Sequence, residues 1–256
     1  SNKIHVRNNG GKFNIIGSGR CNQILEQVSD GFIGGGFNNL IWGRALTCKN
    51  FSTGYNTIPG GDCNKLVDYF GGAGCNTIGG GHSNSICQCC GGTASSWEKG
   101  IYNLIGGGGF NTILTKKCHR ANTIGGGRSN IIYYNDGATI AGGYFNCICF
   151  ACTVTQYINT NTIGGGCSNA IKCTGEKNVI GGGGQNILCN AKKSGIFGGF
   201  ANCIICTSGN VCNNFILGGS QNKICIGSNN VILGGCSNCM CGQYNLLHGF
   251  GNCAYN

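Results

Sequence analysis

Acidic side chains are scarce in this chain: Glu26, Asp30, Asp62, Asp68, Glu98, Asp136 and Glu176 are the only seven among 256 residues, beside four histidines. That inventory leaves little for general acid–base chemistry, and no GxSxG, HExxH or phosphate-loop phrase accompanies it. Long apolar runs are also missing. No stretch approaches the ~20 consecutive apolar residues that span a bilayer, and Ser1-Asn2-Lys3-Ile4-His5-Val6 has no apolar signal-peptide core, which speaks against membrane insertion. Charged residues of both signs make up only 9% of the chain, whereas glycine occurs 51 times. Such a balance would describe a low-complexity chain if the glycines were scattered.

They are instead in register. The phrase IGGGxxNxI, in fuller or reduced form, recurs thirteen times, anchored on Asn22, Asn39, Asn64, Asn84, Asn111, Asn130, Asn146, Asn169, Asn186, Asn202, Asn222, Asn238 and Asn252. Three residues before every anchor stands a glycine; six before it stands Ile in twelve copies and Leu246 in the last. Two after it come nine Ile plus Leu66, Leu188, Met240 and Ala254. A second Asn-x-Ile arm precedes the glycines in most copies, as in Asn56-Thr57-Ile58 and Asn161-Thr162-Ile163. A repeat of this length is one supersecondary unit that buries its apolar face only against its neighbours. One domain, residues 1–256, is therefore expected.

The residues of the phrase select strand over helix. Glycine inside a helix costs ~1 kcal/mol against Ala, and β-branched Ile favours a pleated surface. Within Asn-x-Ile the first and third side chains share a face, so Ile points inward and the middle residue outward. Glycines then supply the corner, and an asparagine at one place in every coil suits a ladder of stacked amides or a local bond to the turn backbone. The expected fold is all-β: a parallel β-solenoid of about 13 short coils. Anchor spacings of 14 to 27 residues point to a basic coil of about 14 to 16 residues, with all extra length inserted along one edge. About two large aliphatics per coil make a thin core, so self-association, as a trimer, is expected to supply the missing burial. Asn2-Lys3-Ile4 reads as the tail of an earlier repeat and Asn252-Cys253-Ala254 stops inside the last, so a segment of a longer chain is expected.

At IGGGxxNxI, from about Asn14 to Asn252, the chain resembles the glycine-rich repeats ahead of chaperone-type C-terminal domains in phage tail fibres. More distantly it resembles the β-roll heads of trimeric autotransporter adhesins. The resemblance implies short strands wound into coils, three chains packed side by side, and a stiff fibre segment displaying a host-binding surface on a virion or extracellular fibre. Expected partners are then further copies of the chain, other virion or fibre proteins, and a host-surface glycan or receptor. The chain departs from adhesin heads in using Ile, three glycines and 22 cysteines where those have small residues and a shorter phrase.

The cysteines and the insertions hold the remaining candidates. Cys225 and Cys241 follow the second isoleucine in neighbouring copies, and Cys239 and Cys253 follow the anchor, so these pairs are the expected disulfides at a coil spacing of about 4.8 Å. Four CxxC pairs (Cys87 and Cys90, Cys149 and Cys152, Cys203 and Cys206, Cys236 and Cys239) raise metal binding as an alternative, but on strand-like repeats rather than zinc knuckles, and no metal or cofactor is assigned. The net charge of +10 favours anionic partners such as acidic glycans; nucleic acid ranks low without a recognised binding module. Aromatic and basic residues assigned to the insertions, Trp42, Arg44, Tyr55, Trp97, Tyr102, Lys116 and Lys117, are the candidate ligand-binding set. For catalysis, a glycan-degrading tailspike would need two convergent carboxylates, with Asp62 and Asp68 the best pair. The bland reading of both as solvated turn residues outweighs it, and no catalytic residue is assigned. Outward Thr57, Thr77, Thr123, Thr139 and Thr162 suggest an ice-binding array, but five threonines among thirteen copies are too few for a flat one.

Overall fold

A computed structural model describes residues 1–6, 13–43, 54–69, 74–88, 102–115, 121–149, 160–173, 176–206 and 212–255. Among them are 27 β-strands and no helix, so no helix is long and apolar enough to cross a membrane. The strands build a parallel β-solenoid. The chain divides into two compact units, Ser1–Ser129 and Asn130–Asn256, each with a wide sheet of longer strands and a narrow sheet of two-residue strands.

In the first unit the wide sheet runs Lys3–Val6, Gln23–Glu26, Leu40–Gly43, Lys65–Asp68, Ser85–Gln88 and Thr112–Thr115, each paired in parallel with the next. Its narrow sheet stacks Ile15–Ile16, Phe32–Ile33, Thr57–Ile58, Thr77–Ile78, Leu104–Ile105 and Thr123–Ile124. The second unit repeats the plan. Its wide sheet is Ile131–Tyr133, Cys147–Cys149, Ala170–Lys172, Ile187–Cys189, Cys203–Ile205, Lys223–Ser228, Cys239–Gln243 and Cys253–Tyr255. Its narrow sheet runs Thr139–Ile140, Thr162–Ile163, Val179–Ile180, Gly195–Ile196, Phe215–Ile216, Val231–Ile232 and Leu246–Leu247.

Period-two alternation decides the core. Ile58, Ile78, Ile105, Ile163, Ile180 and Ile216 from the narrow sheets are fully enclosed, as are Ile41, Ile113, Ile148, Ile204 and Met240 from the wide ones. Each such side chain contributes about 1.5–3 kcal/mol of apolar burial. The last copy departs from the expected register. Leu247, not Leu246, is the partner of Ile232, and Leu246 lies opposite Val231 on the outer face. The corner between Leu247 and Asn252 is one residue shorter than in the other copies, which shifts the inward position by one.

The asparagines serve both expected roles at once. Asn186 is enclosed; its Oδ1 accepts the main-chain N–H of Asn202, one coil on, at 3.0 Å. Its Nδ2 donates to the Gly182 carbonyl in its own turn and to the Gly199 carbonyl of the next coil, both at 3.0 Å. The ladder therefore runs mainly from side chain to backbone, with direct amide–amide bonds added in places, such as Asn111 to Asn84 at 3.1 Å. A second ladder follows the narrow strands through Asn161, Asn178, Ser194, Asn214, Asn230 and Asn245.

Glycine at the corner answers a backbone demand. Gly183 has φ +81°, and a Cβ there would meet the Gly199 backbone, 2.9 Å from its nitrogen and closer still to its carbonyl oxygen. Two residues later the chain turns left-handed again. Every residue just before an anchor asparagine has positive φ, and in twelve copies it is not glycine, as at Ser168 (φ 58°) and Gln185 (φ 58°).

Candidate functional site

Because most inward positions repeat the same aliphatics from coil to coil, chemistry varies mainly along the outward columns. The corner of the first unit holds the richest of them. One residue per coil, two before the anchor, is bridged to its counterpart in the next: Arg20, Phe37, Asp62, His82, Gly109 and Arg128. The Arg20 guanidinium lies 5.5 Å from the Phe37 ring centroid, and His82 Nδ1 is 3.2 Å from Asp62 Oδ2. From the adjoining column Phe110 meets the His82 ring edge-on at 5.2 Å and the Arg128 guanidinium at 5.6 Å. Phe37 and Phe110 remain 43% and 47% exposed. The result is a ridge of aromatic faces interleaved with charge, the chemistry that binds sugars and polar surfaces. Its members are 17 to 27 residues apart in sequence, and only alignment by coil brings them together.

Of the expected ligand-binding residues, the three that the structure describes do not gather in one place. Trp42 belongs to the wide strand Leu40–Gly43 rather than to an insertion, half-buried with its ring edge-on to Tyr69 at 4.9 Å. Its Trp-Gly strand end continues the pairing of Leu25 and Glu26, which drew it into the sheet. Tyr55 and Tyr102 are well exposed and occupy one column, each just before a ladder asparagine, with Cys75 in the coil between. Arg44, Trp97, Lys116 and Lys117 lie outside the described residues.

Asp62 and Asp68 part company as well. Asp62 is on the exposed ridge, whereas Asp68 points into the solenoid and is 1% exposed, at the end of an inward polar column with Gln88 and Thr115. An inward and an outward carboxylate do not flank one groove, as paired-carboxylate hydrolysis requires. The five threonines stand half-buried on the outer narrow faces, with Leu104 intervening between Thr77 and Thr123.

Among the narrow strands, outward residues carry no charge at all: Ile15, Phe32, Thr57, Thr77, Leu104 and Thr123 in the first unit, then Thr139, Thr162, Val179, Gly195, Phe215, Val231 and Leu246 in the second. Phe197, Leu217 and Leu233 extend this apolar surface in the second unit, each about half exposed, and Phe197 stacks on Phe215 with centroids 6.4 Å apart.

The chain matches no protein-family model and no curated protein. Its residues must speak for themselves.

The wide sheet of the second unit shows an outward surface of another kind. Cys147, Cys203, Cys239 and Cys253 share one column and Cys149, Cys189, Cys225 and Cys241 the other. The expected disulfide partners, Cys225 with Cys241 and Cys239 with Cys253, do face each other across adjacent coils, but all four are free thiols. Side chains leave parallel strands side by side at ~4.8 Å, wider than the ~3.8 Å Cβ separation a disulfide favours. Among the described residues the bonded cysteines are Cys147 with Cys149, neighbours along one strand face, and Cys206 with Cys212. The CxxC partners Cys236 and Cys239 fall on different surfaces, one at the glycine corner and one on the sheet.

Thiol crowding raises the cost of ionisation. Burial, with Cys225 and Cys239 adding to it, pushes the Cys241 thiol up to about 11. Burial likewise pushes Cys189 to about 11, helped by the Cys173 sulfur 3.4 Å away. No sign of these columns is visible in any local motif; only the coil period reveals them.

Proposed function

We propose that the chain is a non-enzymatic structural and adhesive fibre protein, a virion or tail-fibre segment that associates as a homotrimer and attaches to a host surface. The observation that carries this reading is the uncharged outward face of the narrow sheets. Parallel sheets are ordinarily covered on both faces. Here one face is packed against the wide sheet, and the other exposes Val179, Phe197, Leu217, Leu233 and Leu246 to solvent. An uncharged, repeated strip of this kind is what a second copy of the same chain can cover, coil against coil.

Light scattering coupled to size exclusion tests the assembly, with Phe197→Lys and Leu217→Lys as the perturbation. The wild-type chain is expected to run as a trimer and the double variant as a monomer with unchanged β-sheet circular dichroism. A wild-type monomer at micromolar concentration would overturn the reading.

Attachment is assigned to the Arg20–Phe37–Asp62–His82–Phe110–Arg128 ridge, whose aromatic faces and flanking guanidinium groups suit a glycan bearing acidic groups.

A further inference from the structure

The cysteine columns of the second unit come closest together at one point. The sulfurs of Cys225, Cys239 and Cys241 all lie within 4.8 Å of one another, and all three residues are half-buried, so solvent reaches them. Two structural facts make this convergence. Cys225 and Cys241 are register partners on adjacent wide strands, and Cys239 and Cys241 are two residues apart on one strand, so their side chains share its outer face.

From this geometry we infer that Cys225, Cys239 and Cys241 form a binding site for one thiophilic d10 cation, Zn2+ or Cu+. A tetrahedral zinc with bonds of about 2.3 Å holds its sulfurs about 3.8 Å apart. The present triangle is wider by no more than about 1 Å, which small side-chain rotations on an open face can close. Three soft thiolates converging from a rigid sheet select these ions over Mg2+ or Ca2+, which take oxygen ligands.

The surroundings fit a ligated centre. Cys253 stands opposite Cys239 in the next coil but outside the sulfur triangle, so a solvent ligand would complete four-coordination for zinc; three sulfurs alone suit Cu+. Tyr255 is the register partner of Cys241 on the next strand and shares the outer face of the sheet with it, beside the sulfur triangle. Lys223, directly opposite Cys239 on the preceding strand, brings positive charge to a centre that three thiolates and a divalent ion would leave negative. None of this follows from a CxxC motif, since Cys236 lies at the corner and takes no part.

The test uses the full chain, reduced and kept anaerobic, titrated with Co2+ as a spectroscopic probe and then displaced with Zn2+; a parallel arm titrates Cu+ against a chromophoric chelator. Wild type is expected to give the intense visible bands of tetrahedral sulfur-bound Co2+ and to bind one tight equivalent more than Cys239→Ser/Cys241→Ser. Losing an outer-shell partner alone weakens metal sites about 10–100-fold, so removing two ligands is expected to exceed that range. The control variant Cys167→Ser/Cys236→Ser, altered only at the corner, keeps the wild-type stoichiometry. A second readout needs no variant: Zn2+ or Cu+ should slow alkylation of Cys225, Cys239 and Cys241 at least about tenfold, leaving Cys167 unaffected, as mapped by mass spectrometry. The arm that protects the three thiols at lower free metal identifies the ion. Equal stoichiometry in cluster variant and wild type, or equal alkylation with and without both metals, overturns the inference.

Discussion

Removing one rung of the asparagine ladder is the sharpest probe of what holds a coil to its neighbour. In Asn186→Ala three hydrogen bonds disappear from a fully enclosed site. The Gly199 carbonyl keeps a partner, because the Gly184 N–H also donates to it at 3.0 Å. The Asn202 N–H and the Gly182 carbonyl lose the bonds that Asn186 made to them. The Asn202 N–H is enclosed and stripping it costs about 1–3 kcal/mol, while the half-exposed Gly182 carbonyl can turn to solvent, so the substitution should destabilise by roughly 2–4 kcal/mol, measured by urea denaturation. Asn186→Ser separates this account from a simple cavity effect. In the second ladder Ser194 already holds an asparagine place, its Oγ accepting the Asn214 N–H at 3.1 Å while donating to the Lys192 carbonyl. Serine at 186 should likewise keep the Asn202 N–H paired and recover roughly 1–2 kcal/mol relative to alanine. Amide exchange at Asn202 should accelerate strongly in the alanine variant and weakly in the serine one. Equal losses in the two variants, with equal exchange, would refute the ladder as the source of the stability.

Three further outcomes follow from the same geometry. Gln185 is exposed with φ 58°, so Gln185→Gly should stabilise by about 1 kcal/mol by relieving left-handed strain, whereas Gly183→Ala should destabilise by several kcal/mol as its Cβ meets the Gly199 backbone; thermal melts of both variants decide this. Cys189 binds its proton more tightly in the folded chain than in the unfolded one, so folding stability should fall as pH rises from about 9 to about 11, and Cys189→Ser should flatten that slope in denaturation series at each pH. Phe110→Ala removes the ring shared by His82 and Arg128, and should weaken binding to an acidic glycan about tenfold on a glycan array while leaving the melting temperature nearly unchanged.

How far a repeat can be read from sequence depends on which residues its period constrains. Isoleucine on either side of the glycines, and glycine three before each anchor, are demanded by core and corner alike, so two strands per coil and their inward faces were legible. The left-handed residue before each anchor was not, because six different residue types at twelve positions there hide one shared backbone state; Cys21, Phe110 and Gln185 have nothing else in common. The asparagine enables it by bonding across its own turn, as Asn186 does to Gly182. Leu246 was misplaced for the opposite reason: the phrase there is one residue short, and counting back from Asn252 lands on the wrong leucine. Trp42 was misjudged because Leu40–Gly43 runs two residues beyond the Asn-x-Ile arm, and nothing in a three-residue phrase says where its strand stops.

Function in such a fold is written down the columns rather than along the chain. A local motif can mislead, since Cys236 and Cys239 satisfy a metal-binding spacing yet lie on different surfaces. Residues one coil apart are neighbours whatever separates them in sequence: Asp62 and His82 are 20 residues apart yet in contact at 3.2 Å, and Cys225 faces Cys241 across 16. Core and ladder fix only the inward positions, the corner glycines and the asparagines. The outward positions are free to vary without loss of fold, and the chain uses that freedom unevenly. An aromatic and charged ridge occupies the corner of the first unit, thiols crowd the wide sheet of the second, and both narrow sheets exclude charge. With charged residues at only 9% of the chain, thirteen uncharged outward positions are not by themselves unusual; what asks for a cover is the apolar exposure among them, as at Leu104, Val179 and Leu246. That exposure is intelligible if those positions are covered, and in the proposed assembly a second copy of the chain, bearing the same strip at the same period, would cover them without a change of register.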